Sequence, residues 1–327
     1  VEKMTIAKIA ELAGVSVATV SRVLNQTGRY SEETKRKILE IIEEHNYRTN
    51  NVAKSLRTHQ SKTIGIIIPD ITNEFFSSIV LAVENYCVPR GYSVFVCNTS
   101  ENIDKEKLYL EDLDAKGVDG LIYISGYGEI PGHVRLPSVC IDRRQKNNNS
   151  IIIESDNFQG GFLATEELIS QGCQRILLLK DERDYIAPME GRFQGYMSAL
   201  RKYGLTYDPS LNIPMNISVE ASQEAVSNAI KKGIKFDGIF ATTDWLALGS
   251  LYALREHGIE VPKQVKIVGF DNISAGKYSY PALTTINQDK TKLGELAASS
   301  LLELIQNRKF QRSYVVPVEL IRRKTTC

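Results

Sequence analysis

Residues 13–25 read Ala13-Gly14-Val15-Ser16-Val17-Ala18-Thr19-Val20-Ser21-Arg22-Val23-Leu24-Asn25, a turn followed by a helix. Gly14 permits a tight turn with positive φ. Ser16 offers a side-chain oxygen to the first free amides of a helix. Val20, Val23 and Leu24 then recur at helical spacing and mark its inner stripe. Upstream, Thr5 caps a helix carrying Ile6, Ile9 and Ala10 on one face. Downstream, a loop through Gly28 leads to Ser31, a third cap. Glu32 and Glu33 follow in the first turn, where the helix dipole favours acids. Ile38, Leu39, Ile41 and Ile42 give that third helix its apolar side. Two helices joined by a tight turn form the geometry that lays the second helix in a DNA major groove.

The second helix carries suitable chemistry at its start. Ser16, Thr19, Ser21 and Asn25 can bond phosphates and fix register. Arg22 can pair with guanine O6 and N7, and Val17 and Ala18 are small enough to meet a thymine methyl. Any one of these residues also suits a plain three-helix bundle; the whole string suits it less well. Charge distribution points the same way. Val1–Lys62 holds eleven Lys/Arg and seven Asp/Glu, a net +4, whereas the whole chain is only +1. A basic head on a slightly acidic body confines a nucleic-acid contact to the head.

From Thr63 the period changes. Val/Ile-rich runs at 64–68, 94–97, 120–124, 139–141, 151–153, 176–179, 238–240 and 265–270 alternate with helical stretches near 74–90, 104–116, 157–171, 190–203, 220–232, 244–257 and 289–307. Continuous apolar runs between helices imply parallel strands buried on both faces and right-handed crossovers. About ten strands are too many for one comfortable sheet, so the body divides into two lobes. The expected fold is therefore α/β, a helix-turn-helix head on a two-lobed body.

Ligands in such bodies sit beyond the carboxyl ends of strands. The residues there include Asn73, Phe75 and Phe76 after the first run, Asp142-Arg143, Thr243-Asp244-Trp245, Asp271 and Gln288, with Arg192 at a helix start. Phe75, Phe76 and Trp245 offer flat apolar faces to the C–H side of a sugar ring. Asp142, Arg143, Arg192, Asp271 and Gln288 offer strong hydrogen bonds to its hydroxyls. Phe75 and Phe76 also suit a helix-start core, and Asp156 and Asp244 also suit helix N-caps. Enzyme chemistry finds no foothold: His45, His59, His133 and His257 are scattered, no serine sits in a GxSxG elbow, and Gly126-x-Gly128 lacks a third glycine. Metal and cofactor are expected to be none. Five cysteines without a CxxC pair suit a reducing cytoplasm. Residues 1–4 open on a helix pattern with no signal-peptide pattern, and no apolar run approaches a membrane span.

The string Thr5-Ile6…Ile9-Ala10…Ala13-Gly14-Val15-Ser16…Thr19-Val20-Ser21-Arg22-Val23-Leu24-Asn25, continued by Ser31-Glu32-Glu33-Thr34 and Asn46-Tyr47-Arg48, resembles the head of the lactose-repressor (LacI/GalR) family, and the similarity spans essentially the full chain. The resemblance implies DNA contacts from Thr5, Ser16, Val17, Ala18, Thr19, Ser21, Arg22, Asn25, Arg29 and Tyr47. It also implies a hinge at Asn51–Thr58 that folds on the operator, pressing Leu56, beside Val52 and Ala53, into the minor groove. Thr49 stands where the family often has proline. In the body, Asn73-x-Phe75-Phe76, Asp142-Arg143, Arg192, Asp271 and Gln288 resemble the pocket of ribose-type binders. Thr243-Asp244 departs from a common Asn-Asp pair, and Glu190 stands where some ribose binders carry arginine. The implied domains are a head at 1–47, a hinge at 48–61, a first lobe at 62–157 and 288–318, and a second at 158–287 and 319–327. The implied function is a sugar-controlled repressor of a sugar-utilisation operon. It would be a homodimer, without a tail-linked tetramer, on near-palindromic double-stranded DNA. A nucleobase or phosphocarrier-protein corepressor, or a plain sugar-binding protein, is the alternative.

Overall fold

The computed structural model describes residues 4–45, 47, 60–124, 136–142, 151–183, 187–307, 309 and 312–327. The chain divides into two compact units, Val1–Ser61 and Lys62–Cys327. The hinge residues Val52, Ala53 and Leu56, with Thr49, lie outside the described residues, as does Arg143.

The head consists of α1 (Ile6–Ala13), α2 (Val17–Asn25) and α3 (Glu32–Glu44). Each begins at the hydroxyl the sequence nominates. Thr5 Oγ1 accepts from Lys8 N at 3.3 Å, and Ser16 Oγ accepts from Thr19 N at 3.1 Å. Ser31 Oγ accepts from Thr34 N, also at 3.1 Å. Gly14 ends α1 at φ 71°, and its amide returns to the α1 carbonyls, which turns the chain sharply into α2. Ile9, Ala10, Ala13, Val20, Val23 and Ile38 form the core of the head, with Tyr47 partly buried against it.

The body holds two six-stranded sheets. The first takes β1 (Thr63–Ile68), β2 (Ser93–Asn98), β3 (Gly120–Tyr123), β4 (Ser138–Ile141), β5 (Ile151–Ser155) and β11 (Tyr314–Val316) in the order β11-β5-β4-β3-β1-β2, all parallel. The second takes β6 (Ile176–Asp181), β7 (Asn212–Met215), β8 (Gly238–Ala241), β9 (Lys266–Asp271), β10 (Thr284–Gln288) and β12 (Val318–Ile321). Its order is β12-β10-β9-β8-β6-β7, with only β12 antiparallel. Helices α4 (Glu74–Cys87), α5 (Ile103–Ala115), α6 (Asn157–Ser170), α7 (Ala187–Lys202), α8 (Val219–Lys231), α9 (Asp244–Glu256) and α11 (Lys290–Gln306) cover the sheets. They fall within a few residues of the amphipathic stretches. A short helix, α10 (Ser274–Tyr278), and strands β7, β11 and β12 carry no apolar run of their own.

The buried faces explain the continuous apolar runs. Ile64, Ile66, Ile68, Val139, Ile141, Ile151 and Ile153 pack with Leu293, Ala297 and Leu301 of α11 on one side of the first sheet. Ile67, Leu121 and Tyr123 pack with Leu110 and Leu113 of α5 on the other. Residues at or just after the carboxyl ends of β1, β4, β6, β8 and β9 line one cleft between the sheets.

Candidate functional site

The cleft encloses a cavity of about 260 Å³ whose lining draws on both sheets. From the first come Asn73, Phe75, Phe76 and Asp142; from the second come Arg192, Thr243, Trp245 and Asp271. Phe75 and Phe76 meet edge to face with centroids 5.2 Å apart. Phe75 also belongs to the first sheet's core, so its ring serves both roles. Asn73 caps α4 through Phe75 N at 3.0 Å.

Arg192 is the electrostatic centre. Its Nε donates to Asn157 Oδ1 at 2.9 Å and its Nη1 to the Thr242 carbonyl at 2.5 Å. Its Nη1 lies 3.9 Å from Asp271 Oδ1, and the guanidinium stacks 3.7 Å from the Phe270 ring centre. Asn157 links the lobes, because its Nδ2 also reaches Asp142 Oδ1 at 3.4 Å. Asp142 further accepts from Ser155 N at 3.0 Å. Asp142 and Asp271 stand at φ 52° and 111°, values that non-glycine residues rarely adopt and that cluster at ligand sites.

Two expected ligand contacts are corrected. Asp244 does not line the cavity. It is fully buried, and its carboxylate accepts from Thr285 Oγ1 at 2.5 Å and Ile273 N at 2.8 Å. Nor does it cap its helix, since Thr243 caps α9 through Leu246 N. Gln288 is also fully buried behind the wall, where its Nε2 holds Asp271 Oδ1 at 2.6 Å. Both residues lie one layer behind the lining because a strand end presents only some of its side chains to the cleft.

Other residues that line the cavity are not among the sequence candidates: Asp70, which follows the first strand, and Glu101, Asp181, Arg183, Met189 and Ile217. Asp181 and Glu101 follow the apolar runs 176–179 and 94–97. Their position just beyond an apolar run is the signal that marks them, as it marks Asp142 and Asp271.

Burial dominates the acid–base properties of this site. It pushes Asp142 up to about 6, with the Ser155 amide and Arg192 opposing. Asp271 likewise rises to about 6, opposed by Arg192, Lys290 and Gln288. Asp244 rises to about 8 through burial and the neighbouring Asp271 charge. Each carboxyl therefore holds its proton more tightly folded than unfolded, where the ordinary value is about 4. Folding takes up protons between about pH 4 and 8, so stability is fully present below that window and falls as pH rises through it. The ligand-free protein is expected to melt at a higher temperature at pH 5 than at pH 8. A higher melting temperature at pH 8 would mean that these carboxylates stay ionised in the fold.

In the head, the proposed DNA-facing residues of α1, α2 and the loop after α2 are accessible to solvent. Thr5, Ser16, Val17, Ala18, Arg22, Asn25 and Arg29 are exposed, and Thr19 and Ser21 are half-exposed. Asn25 Nδ2 donates to the Ser21 carbonyl at 2.7 Å. Gly28 runs against Arg22, where an added Cβ would lie 3.3 Å from Cδ. Tyr47 is partly buried on the head core. Among the described residues no helix is long and apolar enough to cross a membrane, and no His/Cys/Asp/Glu group is placed to hold a metal ion.

A helix-turn-helix head joined to a two-sheet body with a cleft lined by aromatic and charged side chains defines a ligand-binding DNA regulator. Residues 5–50 match the lacI family of bacterial regulatory proteins, and residues 165–326 match a periplasmic binding protein-like domain. The regulator RegA of Clostridium saccharobutylicum is 36% identical, covering 98% of this chain and 99% of its own. The ribose operon repressor of Halalkalibacterium halodurans is also 36% identical, over 98% and 97%. The repressor PurR of Pasteurella multocida is 34% identical, over 98% of each. The crystal structure of the lac repressor dimer bound to operator and the anti-inducer ONPF superposes with TM-score 0.89 at 28% identity, covering 99% of each chain. A LacI-type regulator from Alkaliphilus metalliredigens complexed with D-xylulofuranose superposes at 0.74 with 34% identity, over 81% of this chain and 99% of its own. The chain belongs to the lacI family: it is a transcriptional repressor with a ligand-binding domain, and not an enzyme.

Proposed function

We propose that this repressor controls a sugar-utilisation operon and that a small sugar bound between its lobes sets its operator affinity. One observation carries the reading: paired phenylalanine rings from one lobe and the Arg192–Asp271 pair from the other face a single cavity. Flat rings suit the C–H face of a sugar, and charged groups suit its hydroxyls. A relative named for the ribose operon and a relative holding xylulofuranose support the same class. The ligand acts by binding unequally to two lobe arrangements, of which one sets the heads at operator spacing.

The protein acts as a homodimer on a near-palindromic operator. Among the described residues strand β2 is an edge of the first sheet, with Phe95 and Val96 exposed, and Leu81 and Val88 of the same lobe are exposed too. Apolar edges of this kind are usually covered by a partner. Sedimentation at micromolar concentration is expected to give a dimer. Arg22→Ala is expected to weaken operator binding by about 1–3 kcal/mol and to relax one base preference. An equal loss on specific and random DNA would make Arg22 a phosphate contact instead.

The PurR relatives favour a second ligand class, a nucleobase. Melting the purified protein with free pentoses, hexoses, disaccharides and nucleobases separates the two. A ligand at about 100 times its Kd adds roughly 2.7 kcal/mol. A shift with a sugar alone supports the reading, and a shift with a nucleobase alone overturns it.

A further inference from the structure

Arg183 bridges the two lobes at the mouth of the cavity. Its Nε donates to both oxygens of Asp181, at 2.8 and 2.9 Å, and its Nη1 donates to Glu101 Oε2 at 3.0 Å. Its Nη2 also reaches Glu101 Oε1 at 3.4 Å. Asp181 ends β6 of the second sheet, whereas Glu101 follows β2 of the first. Side-chain exposure rises along the bridge from 0% at Asp181 through 16% at Arg183 to 47% at Glu101, so it runs from the cavity wall out to solvent. Ser100 and Glu101 stand at φ 52° and 59°, a rare conformation for two successive non-glycine residues. The loop thus holds Glu101 over the cleft at some cost in strain. A second bridge across the same cleft sets the Glu74 carboxylate on Ser274, whose amide donates at 2.8 Å.

We propose that the Asp181–Arg183–Glu101 bridge is a gate that sets the size and charge of the ligand, admitting a single uncharged ring and excluding disaccharides and phosphorylated sugars. The proposal rests on the sugar reading for its ligand class. Size follows from the cavity: about 260 Å³ lies below the roughly 300–1,000 Å³ of pockets for drug-sized molecules. A second ring exceeds that space, and the bridge, which joins the lining to solvent, stands on the side where it would extend. Charge follows from the lining. Its described residues include Asp70, Glu101, Asp142, Asp181 and Asp271 against Arg183 and Arg192. Arg192 already has Asn157 on its Nε, the Thr242 carbonyl on its Nη1 and the Asp271 carboxylate beside it, so its charge is balanced before a ligand arrives and its second Nη is left for a hydroxyl. Arg183 offers one edge of its guanidinium to each carboxylate, so an anionic ligand must displace Glu101 to reach it. A guanidinium released on one edge is a strong bidentate site for phosphate. The gate therefore discriminates by repulsion as well as by fit.

The test compares wild type with Glu101→Ala and Glu101→Asp in the full chain, reading Kd ratios by calorimetry. The probes are ribose with ribose 5-phosphate, glucose with glucose 6-phosphate and maltose, and adenine with adenosine and AMP. In wild type the bare ring is expected to bind at least about 100-fold more tightly than its larger or phosphorylated counterpart. Glu101→Ala is expected to shrink that ratio about tenfold or more, equivalent to 1.4 kcal/mol, and Glu101→Asp to restore most of it. A general loosening of the fold would weaken all members of a set alike and leave the ratio unmoved. An unchanged ratio in Glu101→Ala overturns the gate, as does wild-type binding of phosphates or maltose as tight as that of the bare ring. If adenine binds and the sugars do not, the sugar reading fails while the adenine-to-AMP ratio still decides the gate. Silence from every probe in all three proteins overturns both.

Discussion

Arg192→Met is expected to cost about 3–5 kcal/mol of stability at pH 8, the usual penalty for removing one partner from a buried charge cluster. The methionine fills much of the same volume, so the loss is electrostatic rather than a cavity. What remains is Asp142, Asp271 and Asp244, three buried carboxyls with their central cation gone. The Thr242 carbonyl and Asn157 Oδ1 also lose their donor. In a unit of this size the penalty lowers the melting temperature by roughly ten degrees. The pH dependence identifies the cause. These carboxyls already hold protons more tightly than usual, and without Arg192 they hold them more tightly still. Below about pH 5 they are neutral and the variant should recover much of its stability relative to wild type. A deficit that is the same at pH 5 and pH 8 would mean that Arg192 acts through packing on Phe270 alone. Ligand-induced stabilisation is expected to vanish at either pH, because the hydroxyl donor is gone in both.

The parts of this protein that were legible in the sequence are those governed by local chemistry. Thr5, Ser16 and Ser31 announce three helix starts because a hydroxyl beside free amides acts over three residues. Runs such as Ile64–Ile68 announce central strands because both of their faces are buried, so every position is apolar. Of the four edge strands among the described residues only β2 carries such a run, and its Phe95 and Val96 are exposed rather than buried; β7, β11 and β12 give no such signal. β7 contains Pro214, which only an edge strand tolerates. β11 and β12 are three and four residues long, and they become strands only through pairing with Ile153 and Thr285 from distant parts of the chain. The site divides in the same way. Phe75, Asp142 and Asp271 follow strands and line the cleft. Asp244, after β8, and Gln288, the last residue of β10, sit at strand ends too, yet they serve as a buried second layer, because the direction of a side chain at a strand end depends on backbone angles that no pattern displays. The Arg183 bridge joins residues 82 positions apart, and neither end carries a mark of the other.

The close approach of α6 to α7 sets the largest expected effect of a small substitution. Gly161 of α6 faces Gly195 of α7, and the helices meet backbone to backbone there. A Cβ on Gly161 would lie 2.1 Å from the Arg192 carbonyl oxygen, and one on Gly195 would lie 2.2 Å from the Phe158 carbonyl oxygen. No rotamer relieves either clash, since the obstructing atoms belong to helical backbone. The helices must move apart, and α7 carries Arg192 while α6 begins at Asn157, its hydrogen-bond partner. Ordinary overpacking costs about 1–3 kcal/mol. Gly161→Ala is expected to exceed that range and to weaken ligand binding at least tenfold by dislodging Arg192 from Asn157. Gly172→Ala supplies the contrast: its φ is 91° but nothing lies within 4 Å of the added Cβ. Its cost is only the local strain of a left-handed residue, about 1–2 kcal/mol. Urea midpoints of the two variants measure the difference. If Gly161→Ala unfolds no more easily than Gly172→Ala and binds ligand as wild type does, the α6–α7 contact does not position the arginine, and the cleft owes its geometry to the sheets alone.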